Sequence, residues 1–423
     1  MTPSSVWKYC ASEAPQAARL TESLRVDVAV IGAGYAGITA ALALATGGAS
    51  VAVIEAGALG GGGSGLNGGQ LIPGLKSSPS ELIAMLGPER GAAVVRFVMG
   101  TADHVFELVR RHRIDCDAQR HGWIQAAVSP AVLPQMTSRA TESSQWGGEG
   151  VVLDAREVKA LIGSRTGVYC GGWLNRRAGT LHPLNYLYGL VRAAQAAGAR
   201  IFAQSMATAI TGDARRWQVG LAHGPTLTAS EVLICTNAYA DNLWPGLRQS
   251  MLAANSLQIA TAPLAPQVLA TLLPQRQAVS DGRRVMNYFR IGPLGRFMIG
   301  GRGPFGAACQ RHYDDLLRIA LNVFPQLHGV PIEQRWVGKV ALTRDFLPHV
   351  HQPRPGLWLT LGCNGRGIGL MSALGTALGE QLLGRAATQP FEVSPVRPLP
   401  LHRLHRLYAG ALIQGFRLLD RLG

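Results

Sequence analysis

Lysine is nearly missing from this chain. Lys8, Lys76, Lys159 and Lys339 are the four lysines in 423 residues, so arginine carries almost all of the formal net charge of +15. The arginines are dispersed, without basic runs interleaved with aromatics. That pattern speaks against a nucleic-acid surface and leaves acidic substrates or anionic membranes as charge-matched partners. Cysteine is scarce too: Cys10, Cys116, Cys170, Cys235, Cys309 and Cys363 are scattered, with no CxxC pair and no Cys/His cluster. No metal site and no disulfide framework is expected; the thiols read as free, in a reducing, cytoplasmic compartment. The N-terminus lacks a charged stretch leading into an apolar one, so no signal peptide is expected. There is no GxSxG motif, no internal repeat and no long low-complexity linker. The nearest approach to a membrane span is Val26 to Ala45. It contains Asp27 and three glycines and changes period midway, so it reads as a buried strand followed by a helix.

What is present is apolar and glycine-rich. About 47% of residues are apolar, enough for a large core in two domains. The most informative segment is "VDVAVIGAGYAGITAALALATGGASVAVIEAG". Val26 to Ile31 is a continuous apolar run, as a buried parallel strand should be. Gly32-x-Gly34-x-x-Gly37 follows, then helix formers from Ile38 to Ala45, then a second strand from Ser50 to Ile54 closed by Glu55. Gly32 permits a tight turn, Gly34 lets backbone approach a pyrophosphate, and Gly37 lets helix and strand pack closely. The helix N-terminus offers free N–H groups to phosphates, and Glu55 can accept from ribose hydroxyls. Strand, turn, helix, strand and acid in that order predict a dinucleotide site.

"GGGGSGLNGGQLIPG", Gly60 to Gly74, comes next, with eight glycines in fifteen residues. A flexible linker here would cut the domain before its sheet is complete. The alternative is a loop whose N–H groups face the flavin end of an extended FAD, a backbone role suited to glycine. Near the other end, Gly356 to Leu361 reads as a short strand and Gly362 to Gly367 as a glycine-rich loop. Ile368 to Leu383 reads as a helix with small residues on one side.

At these residues the chain resembles the D-amino-acid oxidase superfamily of FAD-dependent amine and amino-acid oxidoreductases, in its gamma-glutamylputrescine oxidoreductase-like branch. "SGLNGGQ", Ser64 to Gln70, is similar to that branch's "SGRNGGQ"; the departure is Leu66 in place of arginine. "SVWKYCASEAP", "RRAGTLHPLNYLYGLVRAAQAAGARIF", "VLICTNAYA", "RFMIGGRG" and "RWVGKVALTRDFLPHV" are similar to further family segments in the same order. The resemblance implies an α/β FAD-binding domain of Rossmann type interleaved with an α+β substrate domain built on a mixed sheet. It implies that FAD is held by Gly32, Gly34, Tyr35, Ala36, Gly37, Glu55, Ala56, Ser64, Asn67, Gly68, Gly69, Gln70, Ala207, Thr236 and Asn237. From the closing loop it adds Gly362, Asn364, Gly365, Arg366, Gly367 and Ile368. The backbone of Gly367, Ile368 and Gly369 would polarise the flavin, since N–H groups and a helix dipole favour the charge that gathers on it.

The activity implied is oxidation of the C–N bond of a small amine or amino acid, with orientation and electrostatics supplied by the protein. His182, Tyr288 and Arg302 are the substrate-side candidates; Arg302 could hold a carboxylate bidentately or equally make a surface or structural salt bridge, and His182, a lone histidine before proline, reads more readily as structural than as a group at the flavin face. Cys363 and Arg366 read equally as lining the site and as supporting its loop, and Asp345 reads as a structural cap before a catalytic group. "WVGKVALTRD" has no cysteine where sarcosine-oxidase relatives attach flavin, so FAD is expected to be non-covalent. Those relatives also place a lysine beside the flavin; here Met298 or a neighbour occupies the matching strand, which leaves O2 or a quinone as electron acceptor. A quinone-linked D-amino-acid dehydrogenase and an FAD-dependent tRNA-base-modifying oxidase are the alternatives.

The expected division is 20–80, 151–240 and 335–383 for the FAD domain, 81–150 and 241–334 for the substrate domain, and 384–423 for a basic helical tail. In the tail, Leu404, Leu407, Tyr408, Ala411, Leu412 and Leu419 are expected toward one side, docked on the parent protein or on a membrane surface.

Overall fold

The computed structural model describes residues 5–214, 216–385 and 389–422. Its first sheet grows from the apolar run at the start. Leu24–Ile31 lies at the centre, parallel to Val51–Ile54 on one side and Thr226–Ile234 on the other. Arg200–Phe202 extends the first side; Leu357–Leu361 and the antiparallel His349–Arg354 extend the second. The central strands are buried on both faces, which is why they read as unbroken apolar runs.

Two helices cover this sheet and meet at small residues. Tyr35–Thr46 packs on Gly367–Leu382. A Cβ at Gly375 would sit 2.2 Å from the Ala36 carbonyl oxygen, and one at Gly379 would sit 2.7 Å from that of Ala40. Thr39 Oγ1 donates to the Ser372 carbonyl at 2.9 Å across the same contact. This close approach brings the two helix N-termini, each preceded by a glycine-rich turn, to one cavity.

The second sheet has eight strands, mostly antiparallel. Its order is Ile332–Leu342, Leu252–Pro263, Arg296–Arg302, Asn287–Ile291, Ala278–Asp281, Trp123–Ala127, Gly171–Asn175 and Gly150–Asp154. The pair Ala278–Asp281 and Trp123–Ala127 is parallel, so the sheet is mixed. Phe289, Phe297 and Phe324 meet in its core, with ring centres 5.0 and 5.2 Å apart at Phe324.

The sheet pairing moves three boundaries. Residues 151–154, Gly171–Asn175 and the start of the 335–383 segment, residues 335–342, pair into the second sheet, although the sequence places them in the FAD domain. The helices Pro79–Leu86, Pro88–Met99 and Thr101–Arg111 lie at the start of the expected substrate domain. They bury Leu82, Val94, Val98, Ala102 and Val105 in the same core as the first sheet. Short strands and amphipathic helices record that one face is buried, but not against which sheet.

Candidate functional site

One cavity of about 1190 Å³ runs from the first glycine turn, past the glycine-rich stretch, to the second sheet. Its first wall is the turn Gly32–Ala36. Gly32 has φ +103°, a conformation open to glycine, and a Cβ at Gly37 would lie 2.0 Å from the Gly32 carbonyl oxygen. Gly37 therefore acts from behind the wall, by letting the helix seat on the turn. Glu55 reaches across: its Oε2 accepts from Ala33 N at 3.0 Å and its Oε1 from Gly57 N at 3.1 Å.

The stretch Gly60–Gly74 is ordered chain. It forms a short helix, Gly63–Leu66, then a two-residue strand, Gln70–Leu71, paired with Gly179–Thr180. Ser64 Oγ accepts from Tyr35 N at 3.1 Å, so this loop caps the first helix. Asn67 ties the loop to itself: its Nδ2 donates to the Gly63 and Ser64 carbonyls and its Oδ1 accepts from Gly69 N. Tyr35 Oη in turn donates to the Ser64 and Pro183 carbonyls. The buried Trp7 of the N-terminal segment donates to the Asn67 carbonyl at 2.7 Å. Leu66, where similar proteins carry arginine, faces the cavity. Its carbonyl accepts from Gln258 Nε2 at 2.6 Å and from Trp336 Nε1 at 3.1 Å.

The closing loop completes the wall. Asn364 sits at φ +46°; its side chain binds Thr343, Leu347 and Gly362, and Gly362 N donates to Asn237 Oδ1 at 3.0 Å. Asn364, Gly365, Arg366, Gly367 and Ile368 line the cavity, as do Ala56, Gly68, Gln70, Ala207, Thr236 and Asn237. Gly69, Gly362 and Gly369 do not line it. Gly69 has φ +67° and lies against the Leu181 carbonyl, while Gly369 is packed on Thr101. Of the three residues expected to polarise the flavin, Gly367 and Ile368 line the cavity and Gly369 does not. Asp345 is held in its turn by His349 at 3.0 Å and by Leu347 N at 3.1 Å, a structural cap away from the cavity.

On the second sheet, Tyr288 and Arg302 line the cavity. The Tyr288 ring occupies the space left by two glycines. A Cβ at Gly68 would lie 2.8 Å from the ring, and one at Gly300 would lie 2.3 Å from it. Tyr288 Oη is 2.7 Å from Ser256 Oγ, and burial pushes its pKa up to about 12. His182 is the correction. Its Nδ1 accepts from Asn185 N at 3.1 Å, its ring packs edge-on to Trp7, and burial followed by repulsion from Arg290 pushes it down to about 4. It is a neutral helix cap and does not reach the cavity wall.

Among the wall residues that escape the sequence reading are Lys76, Arg139, Trp123 and Gln258. The lysine sought on the strand Arg296–Arg302 is absent there, and Met298 is buried; a lysine arrives instead from just beyond the glycine-rich stretch. The usable signal was scarcity: a lone lysine in an almost lysine-free chain, six residues after Gln70.

The tail helix, His405–Leu422, closes the cavity's outer end with Tyr408, Ala409, Leu412, Ile413 and Phe416. Asp420 sets its rotation by accepting from Arg284 N and Val285 N, each at 3.0 Å. The docked face keeps Tyr408 and Leu412 of the expected set and leaves Leu404 and Leu407 outside it. Leu404, Leu407 and Leu418 point outward, with Leu407 72% exposed. No helix among the described residues is long and apolar enough to cross a membrane.

The wall fits FAD on two observations. The N-termini of Tyr35–Thr46 and Gly367–Leu382 face one space, and the buried Gln258 Oε1 has no partner on that wall.

The family model for FAD-dependent oxidoreductases matches residues 27–381. The gamma-glutamylputrescine oxidoreductase of Escherichia coli is 30% identical over 412 residues, covering 96% of this chain and 95% of its own. A probable oxidoreductase, OrdL, of Haemophilus influenzae is 30% identical over 372 residues, covering 86% and 84%. Among solved structures, glycine oxidase from Geobacillus kaustophilus superposes with a TM-score of 0.75 at 21% identity, covering 89% of this chain and 99% of that one. The iminodiacetate oxidase of Chelativorans superposes at 0.73 and 19% identity, covering 88% and 100%. With turn, acid, second glycine loop and closing helix around one cavity, the chain belongs to the D-amino-acid oxidase family of FAD-dependent oxidoreductases, enzymes of amine and amino-acid oxidation.

Proposed function

We propose that this protein oxidises the C–N bond of a small amino compound, in the manner of the gamma-glutamylputrescine oxidoreductase it is similar to, with FAD held non-covalently. The observation that carries this reading is the continuity of the cavity from the Gly32–Ala36 turn to Tyr288 and Arg302. A bound FAD supplies the two-electron acceptor for hydride from the carbon beside nitrogen, and the imine so formed adds water and splits into a carbonyl compound and an amine or ammonia. The chain's own part is positioning. Gly367 and Ile368 present a helix N-terminus, Tyr288 stays protonated as a donor, and the tail helix keeps water from the outer end. The two carboxylates on the wall, Glu55 and Asp241, are engaged by backbone N–H groups and supply no base beside Tyr288 and Arg302 to deprotonate a substrate ammonium, so the amine is expected to bind and react in its neutral form.

The test is anaerobic. Purified yellow protein is mixed with polyamines, D- and L-amino acids and N-methyl amino acids, and the flavin band is followed. Bleaching by an amine supports the reading; a protein that retains no flavin in any preparation defeats it. Precipitation with acid is expected to release all the flavin into the supernatant. Flavin that stays in the pellet would point to a covalent bond, with Cys363 on the cavity wall as the first residue to replace.

A second reading, a quinone-linked dehydrogenase at a membrane surface, is favoured by the outward row Leu404, Leu407 and Leu418 beside Arg403 and Arg406. Sedimentation with anionic vesicles, lost on replacing Leu407 and Leu418 with serine, together with slow reoxidation by O2, would establish it. A cytoplasmic location is part of both readings, on the six free thiols.

A further inference from the structure

Of the four lysines, Lys8, Lys159 and Lys339 are exposed and Lys76 is half-buried on the cavity wall. Lys159 Nζ donates to Thr166 Oγ1 at 2.8 Å, and Lys339, which also lines the cavity, stands in solvent over the Tyr239 ring. Lys76 is anchored through its backbone, whose carbonyl accepts from the Arg139 guanidinium. Its Nζ lies 4.8 Å from the centre of the Phe346 ring. Arg302 on the second sheet and Arg366 in the closing loop act on it as like charges; Cys363 acts the other way, and less strongly. Among the described residues no carboxylate is a main influence on it. The two carboxylates on the cavity wall are engaged elsewhere, Glu55 by Ala33 N and Gly57 N, and Asp241 by Leu243 N.

An ammonium is stabilised by water and by opposite charge. Lys76 is short of the first, and the charges that act on it most are cations. The balance moves it toward the neutral amine, whose lone pair is free. A sheltered lysine amine beside other cations is a nucleophile toward carbonyl carbon. The oxidation proposed above releases a carbonyl compound into the same cavity, so nucleophile and electrophile share one enclosed space.

We propose that Lys76 is a covalent capture site for small carbonyl compounds, the product of amine oxidation first among them, held as an imine on Nζ. This rests on the oxidoreductase reading for the origin of the carbonyl and adds a modification site to it. The Nζ lone pair forms a bond to the carbonyl carbon, and the oxygen then leaves as water with both protons of the amine. Nothing is oxidised or reduced, and no further reactant is needed. The cations that keep the amine neutral also disfavour the protonated imine, the form that water attacks readily. The adduct therefore hydrolyses slowly and occupies the cavity against the next substrate while it lasts. The consequence is feedback, in which accumulating product slows the enzyme that makes it.

The experiment supplies the carbonyl from outside, so it needs no turnover. The flavin-loaded enzyme is incubated near neutral pH with propanal or with glyoxylate, cyanoborohydride reduces any imine to a stable secondary amine, and a peptide map locates the added mass. Lys76 is expected to be modified at least about tenfold faster than Lys8, Lys159 and Lys339. Capture of propanal alone assigns the site to aldehydes, the product of an amine; capture of glyoxylate alone assigns it to oxo acids, the product of an amino acid. Modification of Lys76 no faster than that of the exposed lysines overturns the inference. The captured compound is also expected to slow bleaching of the flavin by an amine. Lys76→Arg keeps the charge but forms no imine, and is expected to be at least about tenfold less sensitive, measured against its own uninhibited rate. Undiminished inhibition of that variant overturns the feedback. If an amine bleaches the flavin and Lys76 is not selectively modified, this inference falls and the oxidoreductase reading stands. If Lys76 is selectively modified and no amine bleaches the flavin, the capture site stands and the oxidoreductase reading falls.

Discussion

Replacing Gly65 with alanine is expected to strip the protein of FAD and to cost about 3 kcal/mol of stability. The added Cβ would lie 2.1 Å from the Gly60 carbonyl oxygen, 2.8 Å from its carbon and 2.9 Å from its Cα, all backbone atoms. Gly60 has little room to retreat. It is at φ +77°, and its own side-chain direction points into Leu184 of the core at 2.2 Å. The short helix Gly63–Leu66 would have to move instead, and with it the Ser64 cap on Tyr35 and the Asn67 ties. Those contacts shape the cavity wall on which FAD is expected to lie. Gly306→Ala is the control: nothing stands within 4 Å of its Cβ and it does not line the cavity, so a change within about 0.5 kcal/mol is expected. The ratio of flavin to protein absorbance and a thermal melt read both effects. A Gly65→Ala protein with full flavin and unchanged melting would show that the stretch is a tolerant loop.

The protein is expected to gain stability as pH rises from 8 to 10.5, by up to about 3 kcal/mol from one group. The group responsible is Lys76. Burial first, then repulsion from Arg302 and Arg366, lowers its pKa from 10.5 to about 8. The folded pKa lies below the ordinary value, so the unfolded chain binds more protons between pH 8 and 10.5, and stability rises across that interval. Below pH 8 the ammonium is held in both states at a cost in the folded one. Lys76→Gln should therefore raise the melting temperature at about pH 7 and remove the rise between pH 8 and 10.5. Thermal melts of both proteins across that range read the effect. A wild-type melting temperature that does not rise relative to that of Lys76→Gln would show that the lysine is solvated and its proton unperturbed.

How much of this was legible beforehand depends on the range over which each feature is determined. The dinucleotide turn is local. Strand, Gly32, Gly34, Gly37, helix and Glu55 lie within thirty-odd consecutive residues, and each is required by backbone geometry at its own position. The closing loop and its helix are local in the same sense, and the helix boundaries differ from expectation by a residue or so. The sequence left His182 between two uses, a contact at the site or a structural role, because a histidine before Pro183 suits both. Only its neighbours Asn185, Cys10 and Trp7 decide between them.

The chain's amino-acid order thus determined the cofactor class, the two glycine loops and the strand–turn–helix unit, because these follow from φ, from the lack of a Cβ and from periodicity. Tertiary structure alone decided the rest. Lys76, Arg139, Trp123, Arg302 and Arg366 lie far apart in sequence and become one cationic wall only when the second sheet closes on the first. The tail helix has apolar residues on more than one side, so its docked face was settled by where Asp420 finds the backbone of Arg284 and Val285. Long-range pairing leaves no local periodic trace, and a charge declares its role only when the charges around it are known.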